Sequence, residues 1–419
     1  MRRGVLVAAI LSLAIALCGC GGDGATGAES AGGLYLEGLN ALYAELEDED
    51  VDQAPWDWDA SFAEAADKFD GALEIDPDHC GALLGSALTH VLLVATDPDL
   101  AEIMRELFPD GGGPRPRSLF WYARTPAVTA ALDALADARG ELHLSELQEY
   151  IESTALSELE VADERLTRFE SLDCEVDLII DVPGEGTEDR QLVTIELDVT
   201  DAYLAHAALD ALQCACRCIA SYNVDMDEGQ TPEHLVESDA DFLTLRYGDH
   251  LPAAHAELAA LGLNLESAGQ SLLEETDPQG NDLVTENEGL VRLDEVLGES
   301  SGERVREMGE SIGAALDEGV DVELRELDES APDVVVHLDI GELLNDPLED
   351  MRDYLPEHTW PTPDTMSVTL PLRMPDPTLD GITPDMSEAE WEPVVLWVLG
   401  RATRQAGVRT LQSLRAVFR

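Results

Sequence analysis

Residues 60–95 read ASFAEAADKFDGALEIDPDHCGALLGSALTHVLLVA. Phe62, Ala65, Ala66, Phe69, Ala72 and Leu73 recur at spacings of three and four, so they share one face of a helix. Asp76-Pro77-Asp78 ends that helix, because proline cannot continue the hydrogen-bond ladder. A second apolar series follows at once: Leu83, Leu84, Ala87, Leu88, Val91 and Leu92. The short link makes the two helices antiparallel neighbours, and small residues at Ala65 and Ala72 let them approach. The expected fold class is mainly α, built from antiparallel helical hairpins.

Within that stretch Ala65, Phe69, Ala72 and Pro77 stand at spacings of four, three and five. This pattern resembles the second helix of a tetratricopeptide repeat. The family's preceding helix corresponds to Leu34–Leu46, within GLYLEGLNALYAEL, here followed by an acidic insert at Glu47–Asp59. The resemblance covers about one repeat and implies a helical scaffold that binds protein or peptide.

Outward from this hairpin, helical patterns span Pro126–Arg139, Glu146–Phe169, Leu204–Tyr222 and Leu258–Glu275. The period changes to two over Glu175–Val182 and Gln191–Thr200, joined by a turn at GEGTEDR, which predicts a β-hairpin. Val334–Ile340 and Met366–Leu372 are candidate strands to join it. The predicted organisation is a signal peptide at 1–19, a Gly/Ala/Ser-rich tether at 20–33 and a helical repeat-like region at 34–170. Residues 171–419 form a helical region with a small antiparallel β insert and a C-terminal amphipathic helix.

The N-terminus carries Arg2 and Arg3 before an apolar core, Val5–Leu17, too short to span a bilayer. Leu17-Cys18-Gly19-Cys20 resembles the bacterial lipobox. That resemblance implies cleavage before Cys20, diacylation of Cys20 and anchoring in the cell envelope. Gly21 at the next position implies the outer membrane as destination.

The formal charge is -64, and Lys68 is the single lysine. Such a surface excludes nucleic-acid binding, which needs a basic footprint. It fits a salty habitat or an acidic proteome. After cleavage, Cys80, Cys174, Cys214, Cys216 and Cys218 remain, an odd number in a compartment that permits disulfides. Cys214 and Cys218 share one helical face while Cys216 points away, which is poor for zinc. They read as small hydrophobes, with a bridge from Cys174 to this helix as the competing reading.

Asp277–Glu288, DPQGNDLVTENE, offers oxygen donors at alternate positions and resembles an EF-hand calcium loop. Asp277, Gln279, Asn281, the Leu283 carbonyl, Thr285 and Glu288 would be the ligands, between helical patterns at Leu258–Glu275 and Leu290–Leu297. Calcium is the one cofactor considered. Two G-x-S-x-G matches, Gly298–Gly302 and Gly309–Gly313, have helical flanks where a hydrolase elbow needs a strand. The nine histidines form no His-Glu-x-x-His pair. No catalytic residues converge, and no enzyme is expected.

From Pro393 to Arg419 acids vanish and five arginines are present, of which Arg401, Arg404, Arg415 and Arg419 flank a stripe of Leu396, Leu399, Leu411, Leu414, Val417 and Phe418. The stripe reads as a closing helix or as one for an anionic lipid surface. Two functions follow: a lipid-anchored scaffold with a protein partner, or an accessory lipoprotein of a transport system that captures a small solute or calcium. A serine hydrolase is the third.

Overall fold

The computed structural model describes residues 30–47, 61–107, 144–183, 190–223, 225, 241–274, 284–285, 291–293, 300–323, 335–338, 340–350, 358–361 and 367–370. The protein is mainly helical. Its first helices are α1 (Ala31–Glu47), α2 (Ala63–Ile75), α3 (Cys80–Ala95) and α4 (Pro98–Leu107). The expected stripe of α2 is buried from Phe62 to Leu73, and Leu83, Leu84, Ala87, Leu88 and Leu92 of α3 are buried with it. Asp76 ends α2 in an extended conformation, as a residue before proline must, and its N–H still reaches the Ala72 carbonyl. Asp76 Oδ1 then accepts the Asp78 N–H at 3.3 Å, and His79 Nδ1 caps α3 by accepting the Ala82 N–H at 3.2 Å. The close approach is set less by the alanines than by glycines. Phe69, fully buried, lies between Gly38 of α1 and Gly85 of α3, where a Cβ would stand 2.9 and 2.6 Å from its ring.

A second antiparallel pair stacks on the first. The expected helix at Glu146–Phe169 is one run: α5 (Leu144–Tyr150), a π-helical turn (Ile151–Ala155) and α6 (Leu156–Ser171). α6 packs against α3, and the Cys80–Cys174 disulfide, with Cα atoms 5.7 Å apart, ties the start of α3 to the end of α6. Cys174 therefore pairs with Cys80, not with the cysteine-rich helix. Tyr150 Oη donates to the Val94 carbonyl at 3.1 Å and Gln148 Nε2 to the Ile219 carbonyl at 2.7 Å, satisfying orphan groups near two helix ends. The apolar run Cys80–Arg105 has the length and composition of a membrane span, but it breaks near Thr96, and 61% of its most apolar window is buried as core.

β1 (Val176–Pro183) and β2 (Arg190–Leu197) form the expected antiparallel hairpin, with Val176 opposite Leu197 and Pro183 opposite Arg190. The second strand stops short of Thr200. Asp198 caps a helix there, accepting the N–H groups of Thr200 and Asp201 at 2.8 and 3.2 Å, while Asp201 Oδ2 accepts the Asp198 N–H at 3.3 Å. This reciprocal box starts α7 (Val199–Ser221). α8 (His250–Glu274) follows, then the short parallel pair β3 (Val284–Thr285) and β4 (Val291–Arg292), and α9 (Ser301–Asp317). The remaining elements are β5 (Val320–Glu323), β6 (Val335–Leu338), α10 (Ile340–Asn345), β7 (His358–Pro361) and β8 (Ser367–Leu370). The candidate strands near 335 and 367 do not join the hairpin. β6 pairs with β5 and β8 with β7, so each sheet among the described residues has two strands.

The chain divides into two compact units. The first takes in the described residues up to 107, then 144–220 and 256–312; the second takes in 221–255 and those from 313 onward. The boundary expected at 170/171 lies inside the first unit, because α6 bonds to helices on both sides of it in sequence. Phe62, Phe69, Leu83, Leu159, Phe169 and Leu197 lie at the centre of the first unit's core. In the second, Tyr222 Oη donates to the Leu348 carbonyl at 3.0 Å, and Leu245 N–H to the Glu349 carbonyl at 2.9 Å.

Candidate functional site

α7 carries two stripes. Its apolar face buries Ala202, Leu209 and Ala220. A second face, His206, Asp210, Gln213 and Arg217 at spacings of four, three and four, is polar and also inside the protein. His206, Asp210 and Gln213 are buried, and the Arg217 side chain is only 13% exposed. Buried polar groups need partners; α6 and α8 on either side supply several, while Gln213 Nε2 and Asp210 Oδ1 have no hydrogen-bond partner.

His206 sits between the carboxylates of α6. Its Nδ1 faces Glu170 Oε1 at 2.8 Å and its Nε2 faces Asp163 Oδ1 at 2.7 Å. Asp210 Oδ1, one turn along α7, lies 3.8 Å from the same Nε2. The other Asp210 oxygen accepts from Asn264 Nδ2 of α8 at 2.8 Å, whereas Oδ1 has no hydrogen-bond partner. Further along, Arg217 Nε donates to Glu257 of α8 at 3.1 Å and its Nη2 to Glu160 of α6 at 3.3 Å. At the other end Thr200 and Ser271 join their hydroxyls at 2.7 Å. α6, α7 and α8 are thus held in antiparallel register by polar contacts.

Burial alone would lower the His206 pKa, but the Asp163 and Glu170 hydrogen bonds and the charges of Glu170 and Asp210 raise it to about 10. Burial pushes Asp210 up to about 7, against the attraction of His206 and the Asn264 hydrogen bond. Glu257 is raised by burial, with Arg217 pulling the other way. Three acids surround one imidazole, an arrangement suited to holding a cation.

A second histidine has similar company. His90 of α3 lies between Glu158 of α6, at Nδ1, and Asp70 of α2, 3.2 Å from Nε2. Ser86 Oγ donates to the other Asp70 oxygen at 2.7 Å, and Arg165 Nη2 lies 3.7 Å from it. Burial opposes the charge on His90, yet its hydrogen bonds to Asp70 and Glu158 raise its pKa. Asp70 is lowered, since the His90 and Ser86 hydrogen bonds outweigh its burial. Ser86 bonds to the carboxylate rather than to the imidazole, so the group is no Ser-His-Asp relay.

The residues singled out by sequence fare differently. Cys20, the Pro126–Arg139 helix and the C-terminal stripe lie outside the described residues, as do Asp277, Gln279, Asn281, Leu283 and Glu288. Thr285 stands in β3, and Val284 beside it packs against the core. The helix expected at Leu290–Leu297 is replaced over Val291–Arg292 by β4, a departure from the EF-hand exit helix. Of the two serines in G-x-S-x-G, Ser300 immediately precedes α9 and Ser311 lies inside it, its Oγ donating to the Glu307 carbonyl at 2.6 Å. Ser311 therefore follows helical residues and not a strand. Cys214, Cys216 and Cys218 are free thiols; burial pushes Cys216 up to about 12, as the small-hydrophobe reading expects.

The His206 group went unread in sequence. Its local signal is the i,i+4 pair His206 and Asp210 on α7. No protein-family model, curated protein or solved structure matches the chain.

Proposed function

We propose that this protein is a lipid-anchored helical scaffold of the cell envelope, held by a diacylated Cys20, whose body binds a protein or peptide partner. The observation that carries the reading is the stacked antiparallel helix pairs, α1 on α2 and α3 on α6, in the same protein as a lipobox-like N-terminus. Stacked helix pairs create extended surfaces suited to recognition. The Gly-rich tether would set the body at a distance from the membrane, and outer-membrane sorting follows from Gly21. No catalysis is assigned, and the charge of -64 argues against a nucleic-acid partner.

A second reading, capture of a small solute or calcium beside a transport system, is favoured by one feature. A depression of about 340 Å³ beside the disulfide is lined by Tyr35, His79, Cys80, Gly81, Glu175, Val176 and Asp177. It falls at the lower end of ligand-site volumes.

Metabolic labelling with palmitate tests the anchor. Wild type should incorporate label and partition with membranes, and Cys20→Ser should do neither. A wild-type chain that is unlabelled and free of membranes without detergent would overturn it. Cross-linking in intact envelopes then separates the two bodies of work, since a scaffold yields a reproducible protein adduct.

A further inference from the structure

We propose that His206 Nε2, Asp163 Oδ1 and Asp210 Oδ1 bind one first-row divalent metal ion, oriented by Glu170 and Asn264. The inference does not rest on the scaffold reading.

The three donor atoms come from two packed helices and lie within 4.8 Å of one another. Bonds of about 2.0–2.2 Å to nitrogen and carboxylate oxygen set tetrahedral donors about 3.4 Å apart, so the 2.7 Å His206–Asp163 contact opens and the 3.8 Å His206–Asp210 contact closes slightly as the ion enters. Asp210 supplies the independent sign of a missing partner. Its side chain is 0% exposed, and Oδ1 points at the His206 nitrogen from 3.8 Å without any hydrogen bond. A protonated imidazole has two N–H groups, and Glu170 and Asp163 take both. It therefore cannot serve Asp210 as well, whereas an ion on Nε2 reaches both aspartates at once.

The surroundings match what metal-bound histidines need. Glu170 holds Nδ1, fixing the tautomer that leaves Nε2 for the ion, and Asn264 holds the far oxygen of Asp210. The Asp163 side chain is 36% exposed, which gives a way in from solvent. Arg217, farther along α7, pairs with Glu160 and Glu257. One imidazole with two carboxylates suits zinc, cobalt or manganese; calcium, which takes about six to eight oxygens, is underserved.

The test is titration of the full chain with Co²⁺ by visible absorption, followed by displacement with Zn²⁺. Molar potassium chloride screens diffuse binding to surface carboxylates. Wild type should saturate at one ion per chain with d–d bands and no sulfur-to-cobalt charge transfer, which excludes Cys214, Cys216 and Cys218 as ligands. His206→Gln and Asp210→Asn should weaken binding by at least ~10-fold, and Glu170→Gln by about 10–100-fold. His90→Gln should bind as wild type does. Should His206→Gln fail to fold, Asp210→Asn still decides, because it removes a buried charge while keeping the side-chain shape. Binding that never saturates, a thiolate band, or an unchanged affinity in Asp210→Asn would overturn the site.

Discussion

The crossing of α8 and α9 is made by glycines, and its energetics can be tested by adding one methyl group. α8 and α9 meet at Gly262 and Gly269 on one side and Gly302 and Gly309 on the other. A Cβ on Gly309 would stand 2.3 Å from the Gly262 carbonyl oxygen and 2.6 Å from the Glu266 nitrogen. On Gly269 it would stand 2.4 Å from the Arg306 nitrogen. Comfortable contact for carbon begins near ~3.5 Å, so the shortfall is about 1 Å, and the atoms met are backbone or the Arg306 Cβ, none of which can rotate away. The helices must part, at a cost of about 1–3 kcal/mol for overpacking or somewhat more. Alanine's helix propensity returns about 1 kcal/mol. Gly309→Ala and Gly269→Ala should therefore destabilise by up to about 2 kcal/mol net. Gly313 lies in the same helix with nothing within 4 Å of its would-be Cβ, so only propensity acts there. Gly313→Ala should stabilise by about 0.5–1 kcal/mol. The double variant Gly269→Ala/Gly309→Ala should cost less than the sum, since the first methyl already separates the helices. Urea melts followed by circular dichroism measure all four. Equal shifts for Gly309→Ala and Gly313→Ala would refute the close crossing.

The other predictions concern charge and the cross-link. Asp210 has its pKa raised to about 7 and His206 to about 10, so the folded state holds more protons than the unfolded chain from about pH 4 to 10. Without metal, Asp210→Asn should leave the Tm unchanged near pH 4 and raise it at pH 8; a lower Tm at pH 8 contradicts the buried charge. His90 is raised and Asp70 lowered, so their contact stabilises most between about pH 4 and 6.5, fading as pH rises through the His90 value or falls through that of Asp70. The deficit of His90→Gln in thermal melts should follow that window, and a pH-independent deficit would mean only packing is lost. Reduction of Cys80–Cys174, which closes a separation of 94 residues, should cost about 2–5 kcal/mol in urea melts. With a charge of -64, the Tm should climb from low salt to molar potassium chloride, and a flat curve would remove the self-repulsion argument.

What the sequence discloses is what short-range periodicity can carry. The stripe from Phe62 to Leu73 is buried as expected because a 3.6-residue period fixes a helix face without reference to its partner. The hairpin is legible for the same reason, with a period of two. Its end was missed where Asp198 and Asp201 form a capping box, a local signal stronger than the alternation that runs through Val199. Val335–Leu338 alternates as a strand should, but alternation does not name the strand it pairs with. The His206 site lay deeper still. Its acids are 43 and 36 residues away on α6, and nothing local distinguishes them from other acids of a carboxylate-rich chain.

The order of the helices follows from a different quantity, the scarcity of positive charge. The chain has 88 acids against 24 lysines and arginines, so two helix faces drawn at random repel each other. A crossing that places a cation between acids does not. Lys68 joins α2 to Glu37 of α1; His90 joins α3 to Asp70 and Glu158; His206 joins α7 to Asp163 and Glu170; Arg217 joins α7 to Glu160 and Glu257. The last three are held largely out of solvent, with side chains 8–13% exposed. There a charge left without its partner costs far more than a matched pair gains. Apolar stripes make each helix stick to something, and the few cations exclude most of the alternatives. α6 meets three of these cations, through Glu158 to α3 and through Asp163, Glu170 and Glu160 to α7. Its place between those two helices is therefore the one most narrowly specified in the first unit.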